Sequence, residues 1–275
     1  QNLDEGSSFP AARIRAAIAA KTGVWDEAAI DVLSRPNAIL GVEYIKAILK
    51  AGADITPYAI QRTGGAYHSA DIDEEMPSAT ALRTALQTGQ VEQAIDAMPE
   101  TCRGYMHAQL HAGLSPVFPG DFDNALLFML RRGGLHYIRH LHEVSEGLEN
   151  RIYDAAQRCT TREALIDEIK TKRYTYTRIS RILLYALLGI TREDVRRFNR
   201  TPLGYIRVLG VKEPGVLSVL SKTCSLPIVA GSIANSPYPA LDTAATDVWA
   251  LGQHVSPFHD GYQDYTRKLL IASQL

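Results

Sequence analysis

The sequence lacks the features that place a protein in or across a membrane. None of its apolar runs approaches the roughly 20 residues that a membrane-spanning helix needs, and its first residues do not form a secretory signal. The 3 cysteines, Cys102, Cys159 and Cys224, lie far apart and include no CxxC pair, which argues against both a disulfide framework and a zinc ribbon. We therefore expect a cytoplasmic protein that does not bind a membrane.

Signatures of several enzyme classes are missing as well. The sequence contains no GxxxxGK[ST] loop and no recognisable Ser-His-Asp arrangement, which argues against P-loop and hydrolase activities. His136 and His140 have the i, i+4 spacing of zinc-binding helices, and so do His107 and His111, but no HExxH motif accompanies them. We interpret these histidines as surface or packing residues and expect no metal site.

What the chain does contain is enough apolar material for a sizeable core and two domains. It has 275 residues, of which 46% are hydrophobic, and a net charge of -1. Residues 170–200 nevertheless hold 9 basic residues against Glu193 and Asp194. A local excess within a neutral chain predicts one basic face for an anionic partner rather than general stickiness.

Within this basic region, residues 170–189 combine charge, aromatic rings and a helical pattern. The first half places lysines and arginines around Tyr174 and Tyr176, the composition of a surface that binds phosphates and stacks on bases. From Ile179 onward the segment is too apolar for a solvated helix, so we expect that half to be buried. The alternative interpretation is a solvated charged cap on a core helix.

Two further positions suit phosphate binding. Pro36 disfavours a helical Arg35, so Asn37 is expected at or near the amino end of a helix, where free N–H groups favour anions. Residues 55–62 alternate in polarity and predict a strand that carries Arg62 at its carboxyl end, where ligands of open α/β sheets gather.

A third candidate begins the next predicted helix. Ser78 and Thr80 stand at its start and Arg83 follows one turn later, so two hydroxyls and a guanidinium can surround one phosphate. The same residues also suit an ordinary helix cap with a solvated arginine. The residues themselves do not separate these interpretations.

Several segments together resemble one enzyme family. RPNAILGVEYIKA, QRTGGAYHS, SATALR, EGLENRI and IKTKRYTYTRISRILLYALLG occur in the order and spacing of the bacterial tRNA(Met) cytidine acetate ligase family, of the HIGH-motif nucleotidyltransferase-like superfamily. The resemblance implies an enzyme that uses ATP, with Mg²⁺, to activate acetate as acetyl-adenylate. It then transfers the acetyl group to the exocyclic amine of the wobble cytidine of elongator tRNA(Met).

The resemblance also assigns roles to residues of this sequence. The ATP-contacting asparagine and arginine of the family correspond to Asn37 and Arg62. A second phosphate signature, with Met76 and Pro77 where the family more often has Ile-Ala, corresponds to Ser78, Thr80 and Arg83. The segment similar to the tRNA-binding surface of the family contains Lys172, Arg173, Arg178 and Arg181.

One departure from the family concerns its catalytic loop. Family members begin with a strand and an Asn-Pro-Phe-His-Asn-Gly-His type loop, whereas this sequence starts at Gln1 without that segment. We therefore expect the catalytic residues to be absent from this chain, so that acetylation requires a full-length protein that includes such a loop. A non-catalytic RNA-binding module is the alternative function. Residues 256–262, SPFHDGY, are similar to the loop but lie at the other end of the chain, and we interpret them as an exposed turn.

The predicted fold is α+β and mainly helical. Residues 1–90, with helical patterns at 11–20 and 25–33, are expected to form the C-terminal part of a Rossmann-like nucleotidyltransferase α/β domain. Residues 91–275 are expected to form a helical tRNA-binding domain, with helices at 150–158 and 162–170 and a helix after Thr191. From about residue 202 a strand, a helix and a strand, at 205–211, 215–221 and 226–230, predict a small α/β unit, followed by a helix at 241–251 and a strand at 267–272.

Overall fold

The computed structural model describes residues 36–60, 72, 76–145, 147–231, 240–255, 259–266 and 268–271. The helices predicted at 11–20 and 25–33, the side chain of Arg62 and the start of the SPFHDGY segment lie outside these residues. The chain divides into two compact units, Gln1–Thr63 and Gly64–Leu275. The predicted domain limits at residue 90 stay a prediction.

In the first unit, helix α1 covers Pro36–Ala51. Proline suits the first turn of a helix because the N–H that it lacks has no partner there in any residue. The strand predicted at 55–62 is wrong for its described part, since residues 53–60 form neither helix nor strand. Pro57 removes a ladder donor, and the side chains of Tyr58 and Ile60 are 89% and 85% exposed, so the alternation does not serve to bury one face.

The second unit begins with three short helices that pack in succession: α2 (Ala79–Gln87), α3 (Val91–Asp96) and α4 (Glu100–His111). Small side chains on α2 and the apolar side of α3 are buried between them, which lets the backbones approach closely. A 3₁₀ turn, Pro119–Phe122, leads from this group into the main helical core.

The main core consists of α5 (Asp123–His140), α6 (Leu148–Arg158), α7 (Arg162–Ile169) and α8 (Tyr176–Leu188). Its largest fully buried side chains include Leu130, Ile138, Leu148, Ile152, Leu165, Ile166, Ile169, Ile179, Ile182 and Leu183. Each such side chain contributes about 1.5–3 kcal/mol by leaving water. The prediction that the second half of the 170–189 segment is a buried helix is confirmed.

Helix α5 bends at Gly134, whose φ of 61° and ψ of -165° are not helical. Only glycine adopts this combination without strain, because a side chain would meet the backbone. Gly133 next to it faces the ring of Tyr137, and a Cβ at Gly133 would lie within 2.6 Å of Tyr137 Cβ. The bend turns the last part of α5 away from the first, and the Tyr137 hydroxyl there donates to the Ala186 carbonyl of α8.

The next helix, α9 (Arg192–Arg200), begins as predicted at Thr191. Thr191 Oγ1 accepts from Asp194 N at 3.1 Å, and Asp194 Oδ2 accepts from Thr191 N at 2.9 Å. This reciprocal pair satisfies two backbone donors that the first turn of a helix leaves open.

The carboxyl part of the described chain holds short parallel strands and helices. Strands β1 (Ile206–Val208) and β3 (Ile228–Ala230) pair in parallel, with α10 (Gly215–Thr223) between them in sequence. Strand β2 (Gly210–Val211) pairs in parallel with β4 (Leu270–Ile271), after α11 (Ala240–Ala250) and α12 (Gln263–Thr266). The predicted strand-helix-strand unit is confirmed, although its strands are shorter than expected.

Side-chain hydrogen bonds connect β1 and the residue before it to α11 and α12. Arg207 binds the carboxylate of Asp264, which is buried and also accepts from Thr246 Oγ1 at 2.7 Å. The Tyr205 hydroxyl donates to Asp242 Oδ2 at 2.9 Å, and burial together with this bond raises the pKa of Tyr205 to about 12. Within the described residues no helix is both long and apolar enough to cross a bilayer.

Candidate functional site

The predicted RNA-binding segment starts with a tight turn between α7 and α8. Thr171 Oγ1 accepts from the backbone N–H groups of Arg173, at 3.2 Å, and Tyr174, at 3.1 Å, and Thr171 N donates to Tyr174 O at 2.9 Å. This folds Tyr174 inward, where it is buried, and leaves Lys172 and Arg173 exposed. The turn therefore presents two cations on a fixed backbone.

Tyr174 also organises cations from both sides of the turn. The guanidinium carbon of Arg173 lies 5.7 Å from the centre of the Tyr174 ring, and that of Arg178 lies 5.3 Å from it. Cations at this distance are attracted by the ring quadrupole and are held in place. The structure thus brings three of the four predicted tRNA-binding residues, Lys172, Arg173 and Arg178, around one turn.

Arg178 and Arg181 additionally bind the loop after α5. Arg178 Nη2 donates to Glu143 O at 2.8 Å and to Ser145 Oγ at 3.1 Å. Arg181 forms a bidentate pair with the Glu143 carboxylate, with distances of 3.1 and 2.9 Å, and this pairing raises the pKa of Arg181. Glu143 has a φ of 62°, which is uncommon outside glycine, and the two arginines help to hold it there.

A groove of about 720 Å³ opens beside this loop. Arg178 shares it with Arg139 of α5 and with Arg192 and Arg196 of α9, and the acidic residues on its wall are Glu143 and Glu149. Arg192 connects α9 to the end of α5 and to the loop after it, since its Nη2 donates to Arg139 O at 2.8 Å and to Val144 O at 2.5 Å. Four guanidinium groups against two carboxylates make this groove suited to a chain of phosphates.

Three of these groove arginines were missed as site residues by the sequence reasoning. Arg192 and Arg196 belong to the basic region at 170–200, but nothing in their spacing indicated that they face Arg178. Arg139 lies 39 residues before Arg178 in the sequence and follows the bend in α5. Its Nε also lies 3.5 Å from Oε1 of Glu149, whose side chain is 15% exposed.

The predicted nucleotide-contacting residues that the structure describes lie in α1 and at α2. Asn37 is exposed in the first turn of α1, as the sequence predicted. Ser78 caps α2 by accepting from Ala81 N at 3.1 Å and is only 3% exposed, whereas Thr80 and Arg83 are exposed on that helix. The phosphate-binding roles of Ser78, Thr80 and Arg83, like those of Asn37 and Arg62, stay predictions.

Of the histidines singled out in the sequence, His136 and His140 contact each other, and the neighbouring His142 packs on an aromatic ring. His140 Nδ1 lies 2.7 Å from His136 O, and the ring of His142 lies 5.3 Å from that of Tyr185. Within the described residues no group of three or more metal-ligating side chains was found. In the SPFHDGY segment, His259 Nε2 lies 2.7 Å from Gln253 O.

The chain is similar in sequence to one family of known proteins. A profile of the HIGH Nucleotidyl Transferase family matches residues 1–264. A tRNA(Met) cytidine acetate ligase of Caldanaerobacter subterraneus subsp. tengcongensis is 35% identical over 91% of this chain and 63% of the relative. The enzyme of the same name from Acetivibrio thermocellus is 33% identical over 98% of this chain and 68% of the relative.

The chain is also similar to solved structures. The crystal structure of apo Thermotoga maritima TmcAL is similar with a TM-score of 0.88 and 28% sequence identity, over 98% of this chain and 68% of that one. The structure of the same protein bound with alpha-thio ATP is similar with a TM-score of 0.85 and 29% identity. The predicted mainly helical α+β fold with a nucleotidyltransferase part is therefore confirmed, and the chain spans about two thirds of the length of these relatives.

Proposed function

Because the chain belongs to the HIGH Nucleotidyl Transferase family, and within it to the tRNA(Met) cytidine acetate ligases, we propose that the protein is an ATP-dependent ligase that acetylates tRNA(Met). Relatives that carry this name align with nearly the whole chain, and one solved relative binds an ATP analogue. The single observation on this chain that carries the proposal is the basic groove at Arg139, Arg178, Arg192 and Arg196 beside the turn at Tyr174.

The proposed reaction has two steps. An acetate oxygen attacks the α-phosphorus of ATP, which enters as its Mg²⁺ complex, so that acetyl-adenylate forms and pyrophosphate leaves. The exocyclic amine of the wobble cytidine in elongator tRNA(Met) then attacks the acetyl carbon. A C–N bond forms, the bond from the acetyl carbon to AMP breaks, and the amine loses one proton.

The nucleotide part of the proposal rests on Asn37 and Arg62. Asn37 lies where a helix amino end exposes N–H groups and where the helix dipole favours the negative charge of phosphates. Arg62 is proposed to bind the same nucleotide. Thr80 and Arg83 are on one exposed face of α2, three residues apart, and are proposed as a second phosphate contact with Ser78 shaping the turn.

The RNA part of the proposal rests on the turn and the groove. Lys172 and Arg173 are exposed and supply charge for the RNA backbone, and the groove arginines continue that charge along α9. Both bonds of Arg178 come from Nη2, while a guanidinium carries five N–H donors, so phosphate binding is compatible with its structural bonds. Arg178 both lies over the Tyr174 ring and lines the groove, so the turn that carries Lys172 and Arg173 is next to the groove. This proximity favours an RNA-binding role over a solvated cap.

The experiment that tests the nucleotide part is ATP binding to the Arg62→Ala variant. With the full-length protein, isothermal titration should show at least a tenfold decrease in ATP affinity, since the variant cannot form a charge-assisted hydrogen bond to phosphate. Lys50→Ala, on the exposed last turn of α1, is the matched control and should bind ATP as the unaltered protein does. Unchanged ATP affinity in Arg62→Ala would overturn this assignment.

A further inference from the structure

A second cavity, of about 470 Å³, lies along α8 from Ser180 to Leu188 and has no role in the function proposed so far. The 3₁₀ turn, α8 and α11 enclose it. Its walls are mainly apolar and include Phe118, Phe122, Leu184, Leu188, Val248 and Trp249. Trp249 is 43% exposed and Leu184 is 51% exposed, so the cavity opens to solvent through these two side chains.

Polar groups occur at one edge of this cavity. Arg162, Ser180 and Arg181 line it. Arg162 pairs through Nη1 with the Glu163 carboxylate and donates from Nη2 to Ser180 Oγ at 2.5 Å. Arg181 at the same time pairs with Glu143, which lines the basic groove. The cavity and the groove therefore meet at the Arg181–Glu143 pair, with cations along the path from one to the other.

We propose that this cavity, which we call the Trp249 cavity, receives one unstacked base of an RNA whose phosphates lie in the basic groove. The inference rests on the proposed RNA-binding function and extends it. Proteins that read single-stranded RNA splay bases out, stack them on aromatic rings and bind their edges through polar side chains. The Trp249 cavity offers an indole ring, apolar walls and a polar edge at Arg162 and Ser180, all next to phosphate-binding charge.

The chemistry favours a nucleobase over a purely apolar occupant. A base has an apolar face, which suits Trp249 and Leu184, and polar edges, which suit Arg162 and Ser180. The ribose that carries the base is linked to phosphates, and Arg181 at the edge of the cavity supplies a positive charge for them. An aliphatic ligand would leave this polar edge without an interaction partner from the ligand, and it would gain nothing from the adjacent groove.

The test measures RNA affinity in variants of Trp249. A full-length Trp249→Ala protein should bind the anticodon stem-loop of methionine tRNA about tenfold more weakly, because the base no longer stacks on an aromatic ring. Trp249→Phe keeps an aromatic face and should restore most of the affinity. Leu251→Ala removes a similarly exposed apolar side chain that does not line the cavity and should leave the affinity unchanged.

Indole fluorescence supplies a second readout. The chain has 2 tryptophans, so the quenching that RNA causes in the unaltered protein and not in Trp249→Phe belongs to Trp249. A stem-loop with abasic sites in the loop keeps the phosphates and should bind without this quenching. Salt-dependent RNA binding with no Trp249 quenching, and with full affinity in Trp249→Ala, would overturn the inference and leave the proposed function standing.

Two other outcomes would also overturn the inference. The absence of any RNA binding by the unaltered protein would contradict the proposed function and this inference together. Binding of anilinonaphthalene sulfonate at Trp249 that RNA does not displace would identify the cavity as a site for an apolar small molecule.

Discussion

At the residue scale, the predicted RNA-binding side chains fall into two groups. Lys172 and Arg173 project from the turn and are exposed, so little of the fold depends on their charge. Arg178 and Arg181 bind the loop at Glu143 and Ser145, and their removal would leave that loop without its partners. Variants of the two groups should therefore differ in stability while sharing an effect on RNA.

We predict that Lys172→Ala with Arg173→Ala weakens RNA binding and leaves stability almost unchanged. Each phosphate that the variant no longer neutralises should reduce the log-log salt slope by about 0.7–0.9. Filter binding over a range of salt concentrations and thermal unfolding measure the two quantities. Lys222→Ala, an exposed lysine on α10, is the control; if its slope changes as much as that of the double variant, the turn has no special role.

We predict that Arg178→Ala with Arg181→Ala weakens RNA binding and also destabilises the fold. Arg178 satisfies the Glu143 carbonyl and Ser145, and hydrogen bonds to charged groups contribute about 1.5–3 kcal/mol each. Urea unfolding should show the decrease in stability directly. RNA affinity and salt slope equal to those of the unaltered protein in a folded double variant would exclude both arginines from the RNA surface.

At the element scale, a local helix cap determines where α8 ends, and another determines where α9 begins. Helix α8 ends at Leu188 and is followed by Gly189, whose φ of 70° is the left-handed conformation common after helix ends. Helix α9 begins with the Thr191–Asp194 capping box and carries Arg192 and Arg196 into the groove. The positions of two of the four groove arginines thus depend on one helix cap.

We predict that Thr191→Ala costs about 1 kcal/mol of unfolding free energy, because the variant has no hydroxyl to cap α9. Hydrogen bonds from Thr191 lower the pKa of Asp194, so the folded pKa lies below the unfolded one. The stabilisation by Asp194 is therefore present above the unfolded pKa and is lost as the pH falls through the folded pKa. Denaturant unfolding at neutral and acidic pH should show a smaller cost of Thr191→Ala in acid; an equal cost at both would contradict the role of Asp194.

At the scale of the whole molecule, the sequence predicted what depends on local pattern. The buried helix in the second half of residues 170–189, the cap at Thr191 and the strand-helix-strand unit are confirmed because hydrophobic spacing and capping chemistry are local. The family resemblance is confirmed as well, since several motifs in register carry far more information than one.

The parts that the sequence did not predict depend on tertiary structure. The alternation at 55–60 resembled a strand, yet Pro57 and the exposure of Tyr58 and Ile60 show that it is not one. Arg139 lies in the groove after the bend of α5 at Gly134, and no local pattern relates Arg139 to Arg192. Trp249 lay in a predicted helix, but only the packing of α11 against α8 places it beside Arg181.

The most direct test of the account is acetylation of tRNA by the full-length protein. Incubation with ATP, isotopically labelled acetate and elongator methionine tRNA, followed by mass spectrometry of the nucleosides, should give labelled acetylcytidine and release pyrophosphate, both only when ATP is present. Binding of ATP and tRNA without any labelled acetylcytidine would contradict the proposed activity.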